Sequence, residues 1–170
     1  PWRIDPQRDA ARHPLQTLLF WGLEGDMTVL EVLPGLGWYT SILAPYLAAN
    51  GGRLIAAGFD SQSASLSQRE TMALWEANFT DNRMLFGEIS RTSLDGDIAP
   101  PNSVDLAIVS NTIHTLMAYG IAERVFGSIL TALKPGGALG IEQHRAGSTG
   151  LQDPLAGDGY VQEAYVRALA

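Results

Sequence analysis

The strongest structural signal in this chain is Val29-Leu30-Glu31-Val32-Leu33-Pro34-Gly35-Leu36-Gly37-Trp38-Tyr39-Thr40. Its first half is aliphatic and β-branched, which is typical of a buried strand, and its second half is a glycine-rich turn that opens a helix. Gly35 and Gly37 allow a sharp turn and a close approach to a ligand, and the first N–H groups of the following helix point at that ligand. The segment therefore predicts a nucleotide-cofactor site.

The acidic residue in this segment separates two cofactor classes. Glu31 lies before the glycines, inside the predicted strand. A dinucleotide-binding turn has a third small residue three places after its second glycine, and this chain has Thr40 there. A Tyr-x-x-x-Lys pair is also missing, since the single lysine, Lys134, lies in a predicted turn. These features disfavour a nicotinamide-dependent oxidoreductase.

Composition limits the remaining classes of protein. The 170 residues fit one domain, 1–170, and 46% hydrophobic with 17% charged residues indicate a globular chain. The net charge of −7 and the scattered basic residues disfavour a nucleic-acid partner, and the apolar runs are too short to span a membrane. Without cysteine there is no disulfide and no thiolate metal site. We expect a cytoplasmic protein, although a removed leader could have preceded Pro1.

Strand-like apolar runs alternate with helix-length segments along the chain. The predicted strands are 28–33, 53–59, 84–89, 104–110 and 138–142. One predicted helix begins at Pro14. Three others cover 38–49, 65–79 and the region of Val125, Ile129 and Leu133, and the last of them ends at a predicted turn at 134–137. This alternation predicts an α/β fold, a doubly wound and mainly parallel sheet with helices on both faces.

Five motifs in order carry a family resemblance. They are Glu31 with Gly35-x-Gly37, Asp60, Gly87-Glu88, Val104-Asp105-Leu106, and Leu133-Lys134-Pro135-Gly136-Gly137. Over residues 14–145 the chain resembles the Rossmann-like S-adenosylmethionine (SAM)-dependent methyltransferases. Leu33–Leu47, Glu142-x-His144-Arg145 and Gly159-Tyr160-Val161 are similar to a bacterial group of methyltransferases of unsettled substrate.

The resemblance implies a SAM cofactor and methyl transfer. It also implies two further strands that form an antiparallel hairpin at the C-terminal end of the domain. The sequence has no segment for this hairpin, so we expect that the C-terminal part of the domain is truncated here. A SAM-binding or scaffold protein without catalytic activity is the alternative.

The carboxyl ends of parallel strands form the ligand-binding edge of such a sheet. The residues predicted to bind the cofactor are Glu31, Pro34, Gly35, Gly37, Trp38, Asp60, Glu88, Ser110 and Asn111. Several of them have alternatives: Glu31 could cap backbone N–H groups, Trp38 could be core, Glu88 could be solvated, and Asp60 could cap the next helix. The residue at the end of the second strand, where the family's ribose-binding carboxylate stands, is Gly58.

Three residues are predicted on the side of the methyl acceptor. His114 follows the fourth strand and could act as a general base, or it could bond a backbone carbonyl instead. Glu142 and His144 are two residues apart on the fifth strand, so they would share a face. No spacing specifies a metal site for these three residues. Amine-modifying enzymes of this fold often have Asn-Pro-Pro-Tyr after strand four, where this chain has Ser110–His114, so a small-molecule acceptor is favoured.

Overall fold

The protein forms one parallel sheet covered by helices. The computed structural model describes residues 2–60, 62, 65–147 and 149–170. Its strands are Thr28–Val32 (β1), Arg53–Gly58 (β2), Ile89–Ser93 (β3), Val104–Ser110 (β4) and Leu133–Glu142 (β5). The strand order is β3-β2-β1-β4-β5, and every neighbouring pair is parallel. The order reverses between β1 and β4, and this switch point is where ligands bind in open α/β sheets.

The helices connect the strands across both faces. They are Asp9–Arg12 (α1), Pro14–Phe20 (α2), Thr40–Asn50 (α3), Leu66–Phe79 (α4), Arg83–Phe86 (α5), Ile113–Ala118 (α6), Ala122–Ala132 (α7) and Glu163–Leu169 (α8), with a 3₁₀ turn at Pro6–Arg8. A capping box starts α4, because Ser65 accepts from the Gln68 N–H and the Gln68 side chain accepts from the Ser65 N–H. Among the described residues, no helix combines the length and apolar character that crossing a membrane requires.

Two apolar layers hold the sheet. Alternate residues of the central strands, such as Leu30 and Val109, pack against α6 and α7 on one face. Their neighbours, such as Val29 and Ile108, pack against α3 and α4 on the other. The predicted α/β fold with helices on both faces is therefore confirmed.

The third strand lies later than predicted. The apolar run that suggested a strand at 84–89 instead forms the short helix α5, and β3 follows at 89–93. Phe86 is buried against the Phe79 ring, with the ring centroids 4.9 Å apart, whereas Met84 is exposed. Because β3 is an edge strand with the polar sequence Ile-Ser-Arg-Thr-Ser, it lacks the apolar pattern of a central strand.

The fifth strand begins earlier than predicted. Val104 pairs with Leu133, but Leu106 pairs with Ala138, so the register shifts across residues 134–137. The predicted turn is thus a bulge inside β5 that includes Gly136 at φ 83°. After β5, the described chain continues to α8 with an isolated bridge between Arg145 and Val161.

Candidate functional site

The glycine turn follows β1 at the switch point. Leu33 lies in the left-handed region at φ 51°, a conformation that costs free energy for a residue other than glycine, and its N–H donates to the Ala57 carbonyl over 2.8 Å. Gly35 also has a positive φ, 58°, and a Cβ placed there would meet no heavy atom within 4 Å. The turn therefore presents bare backbone to open space, as a ligand cradle requires.

Gly37 serves a different purpose from Gly35. Its φ is 93°, and a Cβ there would overlap the ring of Phe79 and press on Trp75. The second glycine of the motif therefore allows the turn to pack closely against α4. This packing gives no support to the prediction that Gly37 binds the cofactor, because Phe79 and Trp75 occupy the space that its side chain would take.

Glu31 is buried directly beneath the turn. Its Oε2 accepts a hydrogen bond of 2.7 Å from the Thr40 hydroxyl, and that hydroxyl accepts from Trp75 Nε1 over 3.0 Å. Burial raises the pKa of Glu31 from 4.5 to about 7, and the bonds from Thr40 offset part of that effect. The carboxyl thus braces the start of α3, and it also lines a cavity beside the turn.

Two cavities flank the turn. The larger has a volume of about 380 Å³ and an apolar wall that includes Phe59, Met72 and Trp75. The smaller has a volume of about 210 Å³ and a polar wall. Both share Leu33, Pro34, Gly35 and Thr112, so the turn is their common boundary.

The smaller cavity combines the sheet edge with the N-terminal segment. Glu31, Ser110 and Asn111 contribute from the sheet, and Arg8 and Arg12 from the N-terminal helices. The cavity therefore contains carboxyl, amide, hydroxyl and guanidinium groups, a set that can bind a ligand bearing both charges.

Trp38 holds the N-terminal segment in place. Its indole N–H donates to Asp9 over 3.0 Å, and the guanidinium carbons of Arg3, Arg8 and Arg12 lie 5.9, 5.5 and 5.3 Å from its ring centroid. Trp38 is only 5% exposed and also lines the smaller cavity. Core residue and cavity wall are therefore both correct descriptions of it.

Glu142 ends β5 and organises the neighbouring side chains. Its Oε2 accepts from the Ser110 hydroxyl over 3.0 Å and from the Tyr39 hydroxyl over 3.3 Å, while Oε1 lies 3.5 Å from Arg12. Burial, together with the Glu142 carboxylate, raises the pKa of Tyr39, so the phenol keeps its proton and remains a donor.

His114 and Asn111 meet at a residue that the sequence analysis did not select. The Gln143 Nε2 lies 3.3 Å from His114 Nδ1 and 3.4 Å from Asn111 Oδ1. Gln143 stands between the two predicted residues Glu142 and His144, directly after β5. The rule that polar residues gather at the carboxyl ends of strands could have identified it.

Two predicted residues, Glu88 and His144, lie elsewhere than expected. Glu88 precedes β3 and is exposed, so it stands at the amino end of that strand, opposite the ligand-binding edge. His144 lies beyond the end of β5, so it is not on the strand with Glu142. It is exposed, and its ring centroid lies 5.4 Å from that of Tyr160. Asp60 follows β2 as predicted, but it lines a neighbouring cavity that Arg91 and Phe59 also line.

The arginines of the site were also missed from the sequence. Arg8 and Arg12 come from a segment that no motif connects to the sheet edge, and Arg91 comes from the strand whose position was wrong. Arg91 lies over the Trp75 ring at 5.6 Å and pairs with Glu76. Among the described residues, no cluster of three or more potential ligands could hold a metal ion.

Comparisons with known proteins extend this picture. No family model and no curated protein sequence matches the chain. A SAM-dependent methyltransferase from Aquifex aeolicus has a similar structure, with a TM-score of 0.70 and 21% identity over 97% of this chain and 80% of that one. The [4+2]-cyclase SpnF matches with a TM-score of 0.69 and 20% identity over 99% of this chain and 58% of its own.

A third similar structure contains a ligand. The trans-methyltransferase CalH, in complex with SAH, matches with a TM-score of 0.52 and 14% identity over 79% of this chain and 36% of its own. At such identities a structural likeness establishes the fold. The chain therefore has the Rossmann-like fold of the SAM-dependent methyltransferases.

Proposed function

We propose that this protein binds SAM at the carboxyl edge of its sheet and transfers the methyl group to a small-molecule acceptor. The observation that carries this proposal is the pair of chemically different cavities that meet at Leu33, Pro34 and Gly35. SAM has the same division, with a flat aromatic base at one end and an amino acid bearing both charges at the other. Gly35, which has open space in place of a side chain, lies between the two halves.

The wall residues fit the two ends of this cofactor. Phe59, Met72 and Trp75 would contact the base, because aromatic and thioether groups pack well against a flat ring. In the smaller cavity, Glu31 would attract the ammonium group and Arg12 the carboxylate. The larger cavity, at about 380 Å³, falls within the roughly 300–1,000 Å³ typical of small-molecule sites.

When bound, SAM supplies a methyl group that is already activated, so the protein's task is to hold the acceptor in line and exclude water. Glu142 ends β5 and His114 follows β4, and we propose that both act on the side of the acceptor. Glu142 is held by Ser110 and Tyr39, which fixes its carboxylate for binding an acceptor. The acidic net charge of −7 supports a small molecule over a nucleic acid.

The likeness to SpnF, which is named as a [4+2]-cyclase, supports a second candidate function. One fold can host several reactions, so a SAM-binding protein that transfers no methyl group is the competing proposal. SAM binding without conversion of SAM to S-adenosylhomocysteine in the presence of any acceptor tested would favour that alternative.

Calorimetric titration with SAM, S-adenosylhomocysteine and NAD tests the cofactor. We expect the first two to bind and NAD not to bind. The Gly35→Val variant should lose SAM binding, because the side chain would fill the space between the cavities. Gly120→Val is the matched control, since Gly120 has a similar φ of 65° against 58° and equally open surroundings. Unchanged SAM affinity in a folded Gly35→Val protein would refute the proposal.

A further inference from the structure

The amide of Gln143 has one defined orientation. Its Oε1 accepts from the backbone N–H of Ile113 over 3.1 Å, and its Nε2 donates to the backbone carbonyl of Gly159 over 2.8 Å. The peptide planes fix the polarity of both partners. Exchanging the two ends of the amide would set donor against donor at Ile113 and acceptor against acceptor at Gly159. The NH₂ group of Gln143 is therefore the end that faces His114.

This orientation determines which nitrogen of His114 carries hydrogen. His114 Nδ1 lies 3.3 Å from Gln143 Nε2. An amide NH₂ group only donates, so Nδ1 must be the acceptor in this contact. A neutral imidazole has one N–H and one bare nitrogen, and the bond made by one nitrogen sets the state of the other. The hydrogen of the neutral ring must then be on Nε2.

The nearby Asn111 does not change this assignment. Its Oδ1 lies 3.4 Å from the same Gln143 nitrogen, so it competes with His114 Nδ1 for the second amide hydrogen. A hydrogen on Nδ1 would still point at an NH₂ group in either case. The cost of two opposed donors in a half-buried position disfavours that tautomer.

We propose that Gln143 is a positioning residue that holds neutral His114 as its Nε2–H tautomer, so that His114 offers a hydrogen-bond donor at the carboxyl edge. A general base needs a bare nitrogen, and in His114 that nitrogen faces Gln143. The role predicted from the sequence is thereby reversed. A ligand group that meets Nε2 must be an acceptor, such as a carbonyl or carboxylate oxygen.

Nitrogen NMR of the whole chain labelled with ¹⁵N-histidine tests this proposal without any cofactor. Long-range ¹H–¹⁵N correlation at pH 8 distinguishes protonated from bare ring nitrogens. The chain has three histidines, and substituting each in turn assigns the signals. We expect His114 to show a bare Nδ1 and a protonated Nε2. The opposite pattern, or nitrogen shifts averaged between the two tautomers, would overturn the proposal.

Two variants isolate the part played by Gln143. A carboxylate only accepts hydrogen bonds, so Gln143→Glu should move the hydrogen of His114 to Nδ1. Gln143→Leu offers neither donor nor acceptor and should give averaged shifts for His114. The exposed His13 is the internal reference, and its signals should not change. If the glutamate variant does not fold, the wild-type and leucine spectra decide the question. A His114 spectrum identical to wild type in every folded variant would refute the positioning role.

Discussion

Glu31→Gln is expected to change how the stability of the protein depends on pH. Burial raises the pKa of Glu31 from 4.5 to about 7. Between these two values the folded protein holds a proton that the unfolded chain has released. The folded state therefore binds more protons, and the free energy of unfolding falls as the pH rises through this interval. One pKa unit corresponds to about 1.36 kcal/mol, so the raised pKa of Glu31 lowers the free energy of unfolding by about 3 kcal/mol between pH 4 and pH 8.

Glutamine separates this effect from the hydrogen bond that Glu31 accepts. Its side-chain oxygen can still accept from the Thr40 hydroxyl, but its amide does not titrate in this range. Relative to the variant, the wild type should lose about 3 kcal/mol of unfolding free energy from low to high pH. Subtracting the two proteins cancels the contributions of all other titrating groups.

Urea unfolding followed by tryptophan fluorescence at pH 4, 5, 6, 7 and 8 measures the difference. Exposed Glu24→Gln is the control, because its carboxyl faces water and its removal should leave the wild-type slope unchanged. Parallel pH profiles for wild type and Glu31→Gln would show that the buried carboxyl carries no such penalty. The reasoning from burial would then be wrong.

Three further substitutions test the turn, a helix and the ribose side of the site. Gly37→Ala should lower the free energy of unfolding by about 3 kcal/mol, since the new Cβ overlaps Phe79 at a φ of 93°; a thermal midpoint equal to that of wild type would contradict this packing. Gly127→Ala should raise it by about 1 kcal/mol, because this glycine lies inside α7 with open space around it, and the same thermal scan measures the gain. Asp60→Ala should lower the affinity for SAM, measured by calorimetry, by roughly ten- to hundredfold if the Asp60 carboxylate bonds the ribose. A loss of affinity below about twofold would show that another group makes that contact.

The central part of the fold could be predicted because its signals are local. The apolar runs of β1 and β4 and the glycine turn each stand in a short stretch of sequence. β3 could not be predicted in the same way, since an edge strand pairs on one side only and needs no apolar run. The apolar residues before it are explained by Phe86, which reaches Phe79 of a preceding helix.

Much of the candidate site follows from topology, and the rest depends on distant contacts. Parallel strands bring Gly35, Ser110 and Glu142 to one edge, which sequence order alone implies. The place of Arg12 depends on how the N-terminal segment folds back over Trp38, and no periodicity encodes that path. The role of Gln143 depends on partners at positions 111, 113, 114 and 159, which only the folded chain assembles.

The hydrogen-bonded chain from Trp75 through Thr40 to Glu31 crosses from the wall of one cavity to the wall of the other. A molecule that shifts the indole of Trp75 also alters the hydroxyl that Glu31 depends on. Two separate fragments, one in each cavity, should then influence each other's affinity. Thermodynamic linkage requires this influence to be equal in both directions. Titrating an adenosine-like fragment with and without an amino-acid-like fragment measures the size and the sign of this coupling.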